Sequence, residues 1–204
     1  MRRQTLWDNN SLLLLMDNEG TYLIADKKAL RAKMRTFLQT LDPAVKRSWD
    51  EAIGKNLACL LESRRGSLGV YAPLEDEVDW TSGNWYENRS LLFPLIESTT
   101  EMSFYPATLE QLVPKVVFGF ELKMPPKSNS NVPAMVLVPG LAFSKRGARL
   151  GRGKGYFDRY LSRHRPMAIG VSYEGQLNEA LPVALNDWPM NFVVTEKAIY
   201  DCAH

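Results

Sequence analysis

The chain has 204 residues, of which 45% are hydrophobic and 24% charged, and these values lie near the averages of globular proteins. Its 25 basic and 23 acidic side chains leave a net charge of +2, which argues against a general polyanion-binding protein. Two cysteines and two histidines are too few for a disulfide framework or a zinc site, and they leave little material for histidine-based catalysis.

Residues 1–25 are interpreted as an N-terminal extension, followed by a single domain over residues 26–204. The apolar run at residues 12–16 is shorter than a signal-peptide core of about 7–15 residues and far shorter than a membrane-spanning helix. We therefore expect no membrane association and a cytoplasmic location. The extension is expected to be poorly ordered or to add a strand over residues 21–25.

Two amphipathic helices are predicted next. Asp26 is the expected N-cap of the first, which carries apolar residues on one face between Leu30 and Leu41. Asp42 followed by Pro43 starts the second, because proline is favoured in the first turn of a helix. Apolar residues recur there at about every fourth position, and the helix is predicted to end at Gly66.

Short apolar segments then alternate with turns and loops. The predicted strands are residues 67–72, 91–96, 102–105, 133–138, 167–171 and 192–195. The predicted connections are an acidic turn at 73–77, a brief helix at 79–88, a loop at 114–130 and a helix at 156–163. This alternation predicts an α/β domain with a mainly parallel sheet. Ligands in such sheets bind at the carboxyl ends of strands, and the loop after Val138 is such a place.

A basic, glycine-rich stretch follows that strand. Eight basic residues and one acid, Asp158, lie between positions 145 and 165, giving a local charge of +7. The basic residues are Lys145, Arg146, Arg149, Arg152, Lys154, Arg159, Arg163 and Arg165. Closely spaced glycines let backbone N–H groups converge on an anion, and the helix that begins near Tyr156 adds its positive end. The stretch therefore predicts a phosphate-binding loop.

The common nucleotide-binding motifs do not match this loop. The pattern G-x-x-x-x-G-K-[ST] fails because Gly155 follows Lys154, and G-x-G-x-x-G fails at Tyr156. A flexible hairpin with a solvated basic face remains an alternative. Asp158 could hold a magnesium ion that bridges nucleotide phosphates, or it could serve the helix dipole and pair with a neighbouring arginine.

Residues 138–161, VPGLAFSKRGARLGRGKGYFDRYL, resemble the signature of the 5-formyltetrahydrofolate cyclo-ligase family, also called methenyltetrahydrofolate synthetases. The likeness extends over residues 27–195. Weaker matches are the helix start at 27–31, the strand and acidic turn at 71–78, the strand at 92–94 and the late loop at 181–187.

The resemblance implies an ATP- and Mg²⁺-dependent conversion of 5-formyltetrahydrofolate to 5,10-methenyltetrahydrofolate, with release of ADP and phosphate. Residues 26–204 would be the catalytic domain. The implied fold is a three-layer α/β/α domain similar to the NagB/RpiA/CoA-transferase-like fold. The implied partners are ATP, as co-substrate, and the formylated folate, with magnesium as the cofactor; a monomer is expected.

The resemblance also implies roles for individual residues. The catalytic residues would be Arg152, Lys154 and Tyr156. The ATP-binding residues would be Lys27, Lys28, Arg31, Arg149, Leu150, Gly151, Arg152, Gly153, Lys154, Gly155, Tyr156 and Phe157. The folate-binding residues would be Ala72, Glu77, Arg152, Gly153, Lys154, Gly155 and Tyr156. Asp158 and Asp187 would bind the metal, and Asn191 stands where the family usually has a second aspartate.

Two alternatives remain open at this point. The basic stretch could bind RNA, since Tyr156, Phe157 and Tyr160 lie close to it, although nucleic-acid-binding proteins usually spread positive charge more broadly. The chain could also be a family relative that acts on another substrate. Retention of Asp158, Lys154 and Arg152 argues against an inactive relative.

Overall fold

The computed structural model describes residues 13–16, 22–25, 27–117 and 119–202, the first two segments and residue 120 by their backbone alone. The helices are α1 (Lys27–Gln39), α2 (Pro43–Leu61) and α3 (Tyr156–His164). The strands are β1 (Leu13–Met16), β2 (Tyr22–Ala25), β3 (Leu68–Gly69), β4 (Leu91–Ile96), β5 (Met102–Pro106), β6 (Val113–Val117), β7 (Phe120–Met124), β8 (Met135–Pro139), β9 (Ala142–Phe143), β10 (Arg149–Leu150), β11 (Met167–Val171), β12 (Phe192–Val194) and β13 (Ile199–Asp201).

Seven strands form the central sheet in the order β13-β12-β11-β8-β3-β4-β5. The four inner pairings are parallel, whereas the two outermost pairings, β12 with β13 and β4 with β5, are antiparallel. The prediction of a mainly parallel α/β sheet is confirmed. Hairpin-like connections explain the antiparallel edges, since β5 and β13 each follow their neighbour after a short turn.

The sheet is covered on both faces, as the alternation along β8 shows. Met135 and Leu137 join a cluster that contains buried residues of α1 and α2, while Val136 and Val138 join a second cluster with Leu161 of α3. Successive side chains of a strand point to opposite faces, so the helices lie on the two sides of the sheet. This arrangement confirms the three-layer architecture.

Helix α2 begins as predicted and ends early. The carboxylate of Asp42 accepts hydrogen bonds from the backbone N–H groups of Ala44 (2.9 Å) and Val45 (3.1 Å), which confirms the N-cap. The helix stops at Leu61 instead of Gly66, and the Arg89 guanidinium donates to the Leu61 carbonyl (2.5 Å) beyond the last turn. The predicted N-cap at position 26 lies outside the described residues.

Residues 79–88 do not form the predicted helix and instead follow consecutive turns. Side chains compete with helical hydrogen bonding there, because Asp79 Oδ1 accepts from the N–H (3.1 Å) and hydroxyl (2.6 Å) of Thr81. The Trp80 indole donates to the Tyr71 carbonyl (2.7 Å), and Asn84 has a φ of 54°. These contacts hold the segment as a folded loop against the preceding strand.

The prediction of a loop over residues 114–130 was also wrong in its first half, where the structure has two strands. Strands β6 and β7 pair in an antiparallel ribbon, with Gly119 at a φ of +80° in the connecting turn. The prediction over 67–72 was too long, since only β3 is a strand; Val70 still donates to the Leu92 carbonyl (2.8 Å) before the chain leaves the sheet. Proline and lysine are accommodated on the open edges of such ribbons, which explains how Pro114 fits in β6.

In the extension, β2 (Tyr22–Ala25) matches the predicted strand at 21–25 and pairs antiparallel with β1 (Leu13–Met16). The boundary between an extension and a catalytic domain stays a prediction. Across the part of the chain that the structure describes, each helix is too short or too polar to cross a membrane.

Candidate active site

A cavity of about 650 Å³ lies where the parallel strands β3, β8 and β4 end. Tyr71 and Ala72 follow β3, Pro139 and Gly140 end and follow β8, and Ile96 ends β4. The carboxyl edge of the sheet thus carries the cavity, as the rule for open α/β sheets predicts. Helix α1, the acidic turn, residues 149–158 and Asp187 form further parts of the wall.

The glycine-rich loop runs between β10 and α3 along this cavity. Gly153 and Gly155 have φ values of +106° and +69°, a conformation that residues with a Cβ rarely adopt. Gly155 occupies the N-cap position of α3, so the first N–H groups of that helix begin where the loop ends. Every residue from Arg149 to Asp158 lines the cavity, including the catalytic residues predicted from the sequence.

Two cations of the site are paired with the two predicted metal ligands. Lys27 Nζ lies 2.7 Å from Asp187 Oδ2, and Arg149 Nη2 lies 2.8 Å from Asp158 Oδ1. Arg149 is buried, and its Nη1 donates to the Pro139 carbonyl (3.1 Å). The first pair joins residues 160 positions apart, the second joins residues on either side of the glycine-rich loop, and both lie at the cavity wall.

Arg152 reaches across the cavity to the acidic turn. Its guanidinium contacts Asp76 Oδ1 (2.5 Å) and Glu77 Oε1 (3.1 Å), while Glu77 Oε2 accepts from the Leu74 N–H (3.1 Å). Burial raises the pKa of Glu77, and the nearby Arg152 charge and the Leu74 hydrogen bond only partly oppose this rise. A carboxylate in this state is suited to a ligand that offers hydrogen-bond donors.

Two further contacts tie the loop to its surroundings. Arg31 Nε donates to the Gly151 carbonyl (2.9 Å), and the Tyr156 hydroxyl donates to the Ser98 carbonyl (2.9 Å). Lys154 is exposed and lines the cavity. Lys28 is exposed and lies outside the cavity lining, so its assignment to ATP stays a prediction.

The model of the 5-formyltetrahydrofolate cyclo-ligase family matches residues 23–196. The chain belongs to this family. It is 31% identical to the 5,10-methenyltetrahydrofolate synthetase of Aquifex aeolicus, whose NMR structure matches with a TM-score of 0.75 over 87% of this chain and 93% of that one. The 5-formyltetrahydrofolate cyclo-ligase of Mycoplasma genitalium is 29% identical over 76% of this chain and 90% of its own. The mitochondrial 5-formyltetrahydrofolate cyclo-ligase of Arabidopsis thaliana is 28% identical over 87% of this chain and 76% of its own.

In this member of the cyclo-ligase family, Asn191 stands where an aspartate is expected, and its role is structural. Asn191 Oδ1 accepts from the Ala168 N–H (2.8 Å), and the Asn191 N–H donates to the Ala168 carbonyl (2.8 Å). These bonds link the start of β12 to β11. Asn191 lies outside the lining of the large cavity, so the departure does not alter that wall.

One wall of the cavity is apolar and was not predicted from the sequence. Its residues come from β4, β5 and the β6–β7 ribbon, and they are Pro94, Ile96, Met102, Val117, Leu122 and Met124. Arg35, Gln39 and Lys123 also line the cavity and were not predicted. The four-residue spacing of Lys27, Arg31, Arg35 and Gln39 along α1 was the available signal, since such residues share one helix face.

Proposed function

We propose that this chain catalyses the ATP-dependent conversion of 5-formyltetrahydrofolate to 5,10-methenyltetrahydrofolate, with release of ADP and phosphate. The observation that carries the proposal is a single cavity with a cationic glycine-rich loop and an apolar wall. The loop suits the phosphates of ATP, and the apolar wall suits the aromatic body of a folate. Membership in the cyclo-ligase family supports the same reaction.

The reaction requires no covalent enzyme intermediate. The formyl oxygen attacks the γ-phosphorus and ADP leaves; N10 of the folate then attacks the formyl carbon. Phosphate departs with the former formyl oxygen, and the N10 proton passes to solvent. The protein's contribution is to hold the two substrates together and to neutralise the transferring phosphoryl group. Arg152 and Lys154 have the charge for this task, and Tyr156, the first residue of α3, lines the same cavity.

Some ion pairs of the site would be replaced by contacts to the substrates when these bind. Arg152 contacts Asp76 and Glu77, and Arg149 contacts Asp158. Polyphosphate oxygens would compete for Arg152, and the released Glu77 carboxylate would then accept hydrogen bonds from the donor edge of the pterin. Ala72, which also lines the cavity, would pack beside that ring. Each substrate would thereby stabilise the arrangement that receives the other.

We assign magnesium to Asp158 and Asp187. Among the described residues, no group of three acidic, histidine or cysteine side chains could hold a metal by itself. Magnesium commonly uses one or two carboxylates together with substrate phosphates and water, so two aspartates at the phosphate end are sufficient. The described hydrogen bonds to Asp158 end on Oδ1 and those to Asp187 end on Oδ2, so these bonds do not use the second oxygen of either carboxylate. When bound, the metal would supply charge neutralisation of the phosphates.

The test follows the product directly. Purified protein, 5-formyltetrahydrofolate, ATP and magnesium should generate the near-ultraviolet absorbance of the methenyl product, with one ADP released per product formed. Omission of ATP, or its replacement by an analogue with a non-hydrolysable β–γ bond, should abolish the signal. ADP release without the methenyl absorbance would indicate another acceptor, and no turnover by verified, folded protein would refute the assignment.

A monomeric state, a cytoplasmic location and the lack of nucleic-acid binding belong to the same proposal. Size-exclusion chromatography with light scattering tests the first, and cell fractionation tests the second. An ATP-insensitive, salt-dependent gel shift with RNA would contradict the third.

A further inference from the structure

We propose that Arg159 is a positioning residue that holds the glycine-rich loop in its ATP-binding conformation. Arg159 lies in the first turn of α3, is exposed, and is outside the lining of the large cavity. It therefore acts through the residues that it contacts, and this inference rests on the function proposed above.

Three contacts carry the inference. Arg159 Nη2 donates to the Lys154 carbonyl (3.0 Å), and Arg159 Nε donates to the Thr100 carbonyl (2.8 Å). The guanidinium carbon lies 5.2 Å from the centre of the Tyr156 ring. Tyr156 itself donates to the Ser98 carbonyl, so both side chains attach the loop to the turn between β4 and β5. One exposed arginine thus links the backbone of one proposed catalytic residue, the ring of another and the turn that connects β4 to β5.

The loop needs such an attachment because of its glycines. Gly153 and Gly155 flank Lys154, and glycine loses more conformational freedom on ordering than other residues. A bond to the Lys154 carbonyl restrains the peptide between them. The planar guanidinium fork can donate to two carbonyls at fixed angles, which a lysine ammonium on a flexible stem reproduces poorly.

The position also fits the guanidinium closely. A Cβ on Gly155 would lie 2.8 Å from Arg159 Nη1, so the left-handed residue that starts α3 and the guanidinium occupy adjoining space. The backbone conformation of Gly155 accounts for glycine at this position, and the short distance shows that the Arg159 guanidinium packs against this residue of the loop.

Arg163 provides a matched control on the same helix. It lies one turn further along α3, its side chain is 71% exposed, and its Nη1 is 3.9 Å from Glu101 Oε1. Arg163→Ala removes an arginine of the same helix that contacts the same turn, but it leaves the contacts to Lys154 and Tyr156 unchanged. The two alanine variants therefore differ in the restraint on the loop.

The experiment compares Arg159→Ala, Arg159→Lys and Arg163→Ala in ATP binding, methenyl formation and hydrogen exchange of residues 150–158. Loss of the restraint should weaken ATP affinity by about 10-fold in Arg159→Ala, which corresponds to about 1.4 kcal/mol. The lysine variant should recover only part of that loss. Arg163→Ala should bind ATP as the wild type does, and exchange over 150–158 should be faster only in the Arg159 variants.

Two results would overturn the inference. One is equal ATP affinity of Arg159→Ala and Arg163→Ala; the other is a matching loss of folate and ATP affinity with a lowered melting temperature, which would indicate general destabilisation. Nucleotide binding and hydrogen exchange do not require turnover of the folate. A wild type that binds ATP but forms no methenyl product would therefore refute the proposed function while still testing the role of Arg159.

Discussion

The glycine-rich loop and the β6–β7 ribbon line the same cavity with opposite chemistry. The loop carries arginine, lysine and bare backbone within ten consecutive residues, whereas the ribbon contributes the apolar residues Val117, Leu122 and Met124 and one cation, Lys123. A phosphate site can be built from a short local segment because backbone N–H groups and a helix start suffice. An apolar pocket needs side chains from several strands, and its members acquire meaning only when the strands are placed together.

The largest effect should come from the loop itself. Lys154→Ala removes a cation that we assign to the phosphoryl group, and loss of one such group lowers kcat by about 100-fold or more. The free energy of unfolding should change by no more than about 0.5 kcal/mol, since Lys154 is exposed. Methenyl formation and urea unfolding check both values. Lys55→Ala, at an exposed position of α2, is the control; a large loss of stability in Lys154→Ala alone would make the loop structural.

A smaller effect, on the folate and not on ATP, should follow from a substitution in the ribbon. Leu122→Ala removes apolar surface from the cavity, and the kcat/KM for the folate should fall by about 10-fold, following the free energy of burying a leucine side chain. The KM for ATP should stay unchanged. Val116→Ala, on a residue that is 76% exposed and outside the cavity lining, should alter neither parameter. An equal rise of both KM values in Leu122→Ala would erase the distinction between the two walls.

Backbone conformation in the loop can be tested with two glycines. Gly153 and Gly83 have φ values of +106° and +87°, and an added Cβ would meet no atom within 3.6 Å at Gly153 or within 4 Å at Gly83. Alanine at either position should cost about 1–2 kcal/mol of stability through backbone strain. Only Gly153→Ala should also lower kcat/KM for ATP, by about 5-fold if roughly 1 kcal/mol of the strain is relieved by movement of the loop. Equal activity of the two folded variants would contradict a defined loop conformation.

The smallest effect concerns the acidic turn that Arg152 contacts. Because burial raises the pKa of Glu77 from its ordinary value of 4.5, the folded protein holds this proton more tightly than the unfolded chain. The contribution of Glu77 to stability therefore falls as the pH rises from 4.5 through the folded pKa. Glu77→Gln cannot titrate, so its stability relative to wild type should be higher at pH 7 than at pH 4.5.

Urea unfolding of both proteins at these two pH values measures the difference. Glu75→Gln, an exposed neighbour in the same turn, accounts for simple removal of charge. A relative stability of Glu77→Gln that stays constant, or that decreases as the pH rises, would contradict the burial of a titrating Glu77.

The same contrast explains what the sequence could predict. The N-cap at Asp42, the inner parallel strands and the loop at 149–158 depend on local patterns, and the structure has them close to the predicted places. The ribbon was predicted as part of a loop because Pro125-Pro126 and the Asn/Ser cluster that follows them are typical of an exposed connection. Pro114 is compatible with β6 because a two-stranded ribbon has open edges, where a missing N–H leaves no partner unpaired.

Two other differences between prediction and structure, at residues 79–88 and at strands β9 and β10, also come from features that local sequence patterns do not report. The helix predicted over residues 79–88 contains weak helix formers such as Ser82, Gly83 and Asn84, and indole and carboxylate groups bond to nearby backbone there and hold turns instead. Strands β9 and β10 contain two residues each, which is below the length at which periodicity can be recognised. The pairing of Arg152 with the acidic turn joins residues more than 70 positions apart, and no local pattern reports such a contact.

The bond between Lys27 and Asp187 has a consequence for how the protein reaches activity. It joins residues 160 positions apart, and the first residue of α1 therefore meets its partner only after most of the chain has been synthesised. Contacts of such separation form late because closing the intervening chain costs entropy before the contact is gained. A refolding experiment should show helix content returning before ATP binding. The cavity would thus be complete only once α1 has met the segment that carries Asp187, and nucleotide affinity would report that this contact has formed.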